Sequence, residues 1–182
     1  MLDYLTSRAA ALGPAGIRAR FRAAVAEFEA AVTDLTESEA RRQLRDGQWS
    51  VAQIVDHLAQ TTIRSAEELR HLLGGRRPPG PPVYEALTSG AAARVPWDEL
   101  RDGLRAANAE LDALLATTVG AEVPETATVP AILLVNRSGA GASSEPEVFA
   151  AELGWRAYAL VQRLHLLDHR TQVRTLRALL ER

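Results

Sequence analysis

The chain has 182 residues, 47% hydrophobic and 24% charged, with a formal net charge of −2. That is the balance of an ordinary soluble globular protein, with no electrostatic bias toward nucleic acid or an anionic membrane. Cysteine and lysine are absent and all 21 basic residues are arginine, which excludes disulfides, thiolate metal sites, cysteine nucleophiles and Schiff-base chemistry on a lysine amine.

The length fits one domain, 1–182, with a substantial core. Met1 to Leu12 lacks the basic-then-apolar pattern of a secretory leader. No apolar run approaches the ~20 residues of a membrane helix, so the cytoplasm is the expected compartment. Gly13-Pro14 marks a helix start with proline in the first turn. Ile17, Phe21, Val25, Phe28 and Val32 recur at steps of four and three, which predicts a helix with one apolar stripe to about Leu35.

Ser50 followed by Gln53 is a capping-box pattern. Val51, Ile54, Val55, Leu58, Thr62, Leu69 and Leu72 extend a second helix to about Leu73, where Gly74-Gly75 stops it. The proline-rich run Pro78 to Pro82 prevents resumption, so Gly74 to about Pro96 reads as a long connection with one short turn near Tyr84 to Leu87. Trp97, Leu100, Leu104, Ala107, Leu111, Leu114 and Leu115 predict a third helix ending near Val119, which Gly103 weakens modestly.

From Gly120 to Ser144 the periodicity is lost, which predicts a long loop bordering the site, with a short extended piece at Ile132 to Val135 and a Gly/Ser-rich stretch from Asn136. Ser144 and Glu147 repeat the capping-box pattern, with Pro146 at a tolerated early position. Val148, Phe149, Leu153, Leu160, Val161, Leu164, Val173, Leu176 and Leu180 then predict a long final helix, bent or broken at Gly154. Four amphipathic helices with few strand signals and no internal repeat imply an all-α four-helix bundle with long interhelical loops.

Three of the four histidines stand at two helical stations. His57 lies in line with Ile54, Leu58 and Thr61 on the second helix, and His165 and His169 sit four apart on the last, after Val161. Residues four apart on a helix share a face, and histidine is the commonest protein ligand for late transition metals. A third His from another helix would complete a three-histidine site with room for water or substrate. The competing account is a set of core-edge histidines hydrogen-bonded to carbonyls or carboxylates. The residues alone leave both accounts open.

Two blocks carry a family resemblance. Trp49-Ser50-Val51-Ala52-Gln53-Ile54-Val55-Asp56-His57-Leu58 resembles the helix-two signature of the DinB-like superfamily, and His165-Leu166-Leu167-Asp168-His169-Arg170-Thr171-Gln172 is similar to its last-helix signature. The resemblance implies a four-helix bundle, often a homodimer, that holds a divalent metal on three ligands, here His57, His165 and His169. Zinc or nickel comes first, with manganese or iron as alternatives. Glutamate replaces a histidine in some members, and the all-histidine version stands here. The resemblance also implies a small-molecule substrate and activities such as transfer of a low-molecular-weight thiol, bacillithiol or mycothiol, to an electrophile, mycothiol-dependent maleylpyruvate isomerisation, or metal-dependent hydrolysis. The segment Val119 to Ser144 does not align with the family pattern.

A metal on three neutral imidazoles keeps its full charge and would lower the pKa of water or of a thiol. The absence of cysteine fits a sulfur brought by a cofactor, and it fits hydrolysis equally. Gln172, three residues after His169, is positioned as a supporting amide. Asp56 and Asp168 read as solvated or salt-bridging, Arg170 and Arg174 as surface residues, Trp49 as packing on the helix start, and His71 as solvent-facing near a helix C-terminus. No other catalytic residue and no separate cofactor-binding residue can be named. Ser138 to Ala142 lacks the Lys and Ser/Thr of a phosphate-binding loop, Ser143 and Ser144 sit in no nucleophile elbow, and Glu68-Leu69-Arg70-His71 alone cannot make a di-iron site. The alternative to an enzyme is a non-catalytic, stress-related or dimerising bundle with a structural or vestigial metal site. A metal-free bundle is the third reading.

Overall fold

The computed structural model describes residues 2–45, 47–135 and 147–180. Six helices carry the fold: α1 (Leu2–Ala11), α2 (Pro14–Val32), α3 (Glu37–Arg41), α4 (Val51–Leu73), α5 (Trp97–Thr117) and α6 (Trp155–Leu180). Strands β1 (Val129–Val135) and β2 (Glu147–Leu153) form an antiparallel pair between α5 and α6, with Val129 opposite Leu153 and Val135 opposite Glu147.

The expected starts of three helices hold. Pro14 opens α2. Ser50 caps α4, its side chain accepting from the Gln53 N–H while Gln53 returns a bond to the Ser50 backbone. Trp97 opens α5 behind Pro96. At the end of α4, Gly75 sits at φ 69°, the left-handed conformation in which a side chain would be strained.

The final helix differs from its expected course. It begins at Trp155, and Val148, Phe149 and Leu153 belong to β2 instead. A seven-residue apolar partner in β1 supplies the pairing that turns this run into a strand, and Gly154 separates the strand from the helix. Glu147 lies in β2 rather than at a helix cap. Ser144, Pro146 and the Asn136 to Ser144 stretch lie outside the described residues. At the expected turn, Tyr84 to Leu87, the chain bends at Glu85 without a hydrogen-bonded turn, and a short 3-10 turn forms further on at Ala91–Ala93.

Cross-helix pairs fix the helix directions. Arg170 pairs with Glu27, and Arg177 reaches Asp34 at 2.6 Å, so α2 and α6 run parallel. Arg18 meets Asp112 at 2.8 Å, and Arg101 donates to the Thr33 carbonyl at 3.0 Å, so α5 runs antiparallel to α2. His57 meets His165 at 3.0 Å and Tyr158 meets Ser65 at 3.2 Å, so α4 runs antiparallel to α6. It follows that α4 and α5 are parallel neighbours.

Parallel neighbours require a connection that returns the full length of the bundle. A helix of 23 residues spans roughly 34 Å at ~1.5 Å per residue. That span explains why the segment between Gly74 and Pro96 is long, and why prolines that forbid a helix occupy it.

The core runs the length of the four long helices. Ile17, Phe21 and Phe28 of α2 pack with Ile54, Leu58, Leu69 and Leu72 of α4, Leu111 and Leu115 of α5, and Trp155, Val173 and Leu176 of α6, all almost fully buried. Each such side chain contributes about 1.5–3 kcal/mol by leaving water. α1 lays Leu5 and Ala9 into the same core against α6. α3 is started by a Thr36/Glu39 capping box and packs on α4.

Candidate metal centre

α4 and α6 face each other along a polar seam inside the apolar bundle. At one end of it, the Tyr158 hydroxyl donates to Glu68 and lies 3.2 Å from Ser65 Oγ. Burial, then the Glu68 charge, pushes the Tyr158 phenol pKa far upward, so it stays protonated. Gln162 and Thr61 lie further along the seam. Gln162 is buried. The Thr61 hydroxyl is buried with no hydrogen-bond partner among the described residues.

His57, His165 and His169 meet at the other end. Their ligand atoms lie within 4.8 Å of one another. His165 Nε2 is 3.0 Å from His57 Nε2 and 3.0 Å from His169 Nε2. His57 is 8% exposed and His169 is 9% exposed. The Trp49 ring covers the group, 4.9 Å from the His57 ring and stacked 6.3 Å from that of His169.

The outer nitrogens decide the protonation of the inner ones. His57 Nδ1 lies 2.9 Å from the Leu87 carbonyl, and His169 Nδ1 lies 2.9 Å from Gln172 Oε1. Both partners are oxygens that only accept, so both Nδ1 atoms carry hydrogen, and in neutral rings both Nε2 atoms carry lone pairs. His165 Nε2 can offer at most one proton to those two lone pairs. Three nitrogens therefore converge with more lone pairs than protons, an arrangement that a shared cation satisfies.

The donor set fits a divalent metal. Two nitrogens held at ~2.0–2.1 Å by a tetrahedral ion stand roughly 3.3 Å apart, close to the 3.0 Å seen here. Neutral rings are favoured as well. Burial lowers the pKa of His57, against the raising effect of the Leu87 carbonyl. Burial and then the two neighbouring imidazoles push His165 well down. Burial also lowers His169, against the Gln172 bond.

A stability prediction follows from the direction of these shifts. The unfolded chain takes up protons near the ordinary histidine value of 6.5, whereas the folded trio resists them. Unfolding therefore binds protons in this range, and stability falls as pH falls. In chelator, the melting temperature should begin to drop near pH 6.5 and keep falling toward pH 5. Each proton taken up on unfolding contributes at most ~1.4 kcal/mol per pH unit. The carboxyls of Asp34, Asp112, Glu39 and Glu152 are shifted to still lower pH, so they do not contribute in that window. A flat melting curve between pH 7 and 5 would contradict the buried neutral trio.

The other residues singled out in the sequence divide. Gln172 supports His169 as expected. Asp168 is exposed, and Arg170 pairs with Glu27 on the bundle surface. Asp56 departs from its expected solvated or salt-bridged role. It is 3% exposed and accepts from the backbone N–H groups of Ser89 and Gly90 and from the Ser89 hydroxyl. The reading of Trp49 as a packing residue holds, but what it packs on includes the histidines. The Leu87 carbonyl escaped the sequence reading, because a main-chain oxygen leaves no residue-type signal. A cavity of about 550 Å³ lies elsewhere, lined by Thr6, Trp155 and Arg156 near the start of α6.

Residues 20–140 match the family model of the DinB superfamily. That span includes His57 and ends before His165 and His169. No curated protein matches the sequence. Among solved structures, the crystal structure of the mycothiol-dependent maleylpyruvate isomerase is similar over 91% of this chain, with a TM-score of 0.67 and 14% identity. A histidine-to-alanine mutant of the same isomerase gives a TM-score of 0.65 over 91% of this chain, also at 14% identity. The chain spans 62% of the length of either isomerase chain. At such identity the likeness is one of fold.

Proposed function

The chain belongs to the DinB superfamily, and on that premise we propose that it is a metal-dependent enzyme holding one divalent ion on His57, His165 and His169. The observation that carries this reading is the convergence of three Nε2 atoms whose outer nitrogens are tied to the acceptors Leu87 O and Gln172 Oε1. Zinc or nickel suits three imidazoles best, with manganese or iron as alternatives.

Bound there, the ion would supply Lewis acidity, making a thiolate or a hydroxide available near neutral pH. The residues of the chain do the rest. The three imidazoles leave open coordination positions for a substrate. Trp49 keeps water from one side of the group.

The substrate is a small electrophile. The reaction is attack on it by a low-molecular-weight thiol such as mycothiol or bacillithiol, or by water in a hydrolysis. The fold likeness to a mycothiol-dependent isomerase supports the thiol branch, and a chain without cysteine needs its sulfur from such a co-substrate. The reading takes residues 1–182 as one helical domain acting in the cytoplasm as a homodimer, which sedimentation of the purified chain tests. Among the described residues, no helix is long and apolar enough to cross a membrane.

The deciding experiment is metal analysis of protein purified without an affinity tag, followed by assays of electrophiles with and without thiol. About one ion per chain is expected, with turnover that chelation abolishes. One ion without turnover would leave a structural site on a non-catalytic bundle. Wild-type protein that takes up no metal would overturn the metal reading itself.

A further inference from the structure

The long connection between α4 and α5 does more than return the chain to the other end of the bundle. As it passes His57 it presents the Leu87 carbonyl to Nδ1 at 2.9 Å. Two residues later it is fastened to α4 by a buried carboxylate. One oxygen of Asp56 accepts from the Ser89 N–H at 3.1 Å and from the Gly90 N–H at 3.0 Å, and the other accepts from the Ser89 hydroxyl at 2.5 Å. Ser89 Oγ in turn accepts from the Ala91 N–H at 3.1 Å. Gly90 sits at φ 71°, so the turn that aims two N–H groups at one oxygen uses a left-handed residue.

We infer that Asp56 is a positioning residue for His57: its carboxylate fixes the 87–90 segment so that the Leu87 carbonyl holds the proton on His57 Nδ1 and leaves Nε2 free as a donor. Adjacent helical residues diverge by ~100°, so Asp56 cannot reach the site that His57 faces. It acts through the strap, and His57 and Asp56 grip one loop from two faces of α4. Without the anchor, the loop no longer has to keep a carbonyl over Nδ1. A free imidazole prefers its proton on Nε2, which blocks the donor atom. The inference rests on the metal-centre reading for its effect on metal affinity, whereas the tautomer it predicts is a property of the metal-free chain.

The test compares Asp56→Ala, Asp56→Asn and a distant core control, Leu111→Ala, buried on α5 next to Glu110, which pairs with Arg70 at the far end of α4. Imidazole nitrogen shifts in the chelated protein report the His57 tautomer, and zinc titration reports affinity. Asp56→Ala should move His57 toward the Nε2–H form and weaken zinc binding by about 10–100-fold, the range for loss of a group that supports a ligand. Asp56→Asn keeps an oxygen for the two N–H groups and an NH₂ for Ser89 Oγ. It should therefore retain the Nδ1–H tautomer and stay within about threefold of wild-type affinity, on the same scale. Leu111→Ala should lower the melting temperature and change neither readout.

If Asp56→Ala melts lower but keeps the wild-type tautomer and zinc affinity, the carboxylate is a loop staple only and the inference is overturned. Should Asp56→Ala fail to fold, Ser89→Ala takes its place, since it removes the hydroxyl bond and spares the carboxylate. A partial tautomer shift would then support the inference, and an unchanged tautomer would overturn it. If wild type itself binds no zinc, the metal reading falls while the tautomer comparison still decides the role of Asp56.

Discussion

His57→Ala, His165→Ala and His169→Ala should each reduce divalent-metal affinity by about 10²–10³-fold. Structural zinc sites with four ligands bind with roughly 10–16 kcal/mol, so one ligand is worth about 3–4 kcal/mol, and each 1.4 kcal/mol is a factor of ten. The three variants need not be equivalent. His165 Nε2 lies 3.0 Å from both other donors, so its removal leaves His57 and His169 without the nitrogen between them. His165→Ala should therefore be the most damaging. His71→Ala, on the same helix as His57 but outside the cluster, should bind like wild type. Titration calorimetry of untagged, chelator-stripped protein measures all four. Retention of wild-type affinity by any of the three cluster variants would remove that residue from the site.

The histidine cluster was legible in the sequence because it uses two rules of helical periodicity. The i, i+4 spacing places His165 and His169 on one face, and the Ile54–Leu58 stripe places His57 toward the interior. The Ser50/Gln53 box and the Gly74-Gly75 stop made α4 readable to the residue. The Thr36/Glu39 box that starts α3 carried the same signal, but a helix of five residues has no periodicity to draw attention to it. α1 is hidden by its alanine-rich composition: among its residues of described burial only Leu5 and Ala9 are buried, too few to show a stripe. The strand pair does not show in the sequence for a different reason. Val148-Phe149 and Leu153 fit a helical stripe, and only their pairing with Val129–Val135, a non-local contact, makes them a strand.

The supporting groups were partly invisible for a topological reason. That α4 and α5 run parallel cannot be read from either helix. It follows from pairs such as Arg18–Asp112 and Arg170–Glu27, which join residues far apart in the chain. Once that direction is fixed, the connection from Gly74 to Pro96 must pass the start of α4. A proline-rich linker thereby becomes the wall that brings the Leu87 carbonyl to His57 and the Ser89 and Gly90 N–H groups to Asp56.

His165→Leu should destabilise the metal-free protein modestly while destroying its response to metal. In the metal-free chain, His165 is pressed between two imidazoles, and burial and those neighbours push its pKa well down, so the ring stays neutral and can satisfy only one of the two facing lone pairs. A leucine of similar volume adds apolar contact but takes away that one N–H and leaves both buried Nε2 atoms unpaired, for a net loss of about 1 kcal/mol. For a chain of this size that lowers the melting temperature by roughly 2–4 °C. Wild type gains from its ligand: metal at 100 times its dissociation constant stabilises the folded state by about 2.7 kcal/mol, or roughly 5–11 °C. The order of melting temperatures should therefore be loaded wild type, then stripped wild type, then His165→Leu with or without metal. Thermal scans of the two proteins, each with zinc and with chelator, give all four values. A His165→Leu protein whose melting temperature rises with zinc as wild type does would remove His165 from the site. One that melts above stripped wild type would mean that burying the His165 ring costs the metal-free fold more than its one hydrogen bond returns.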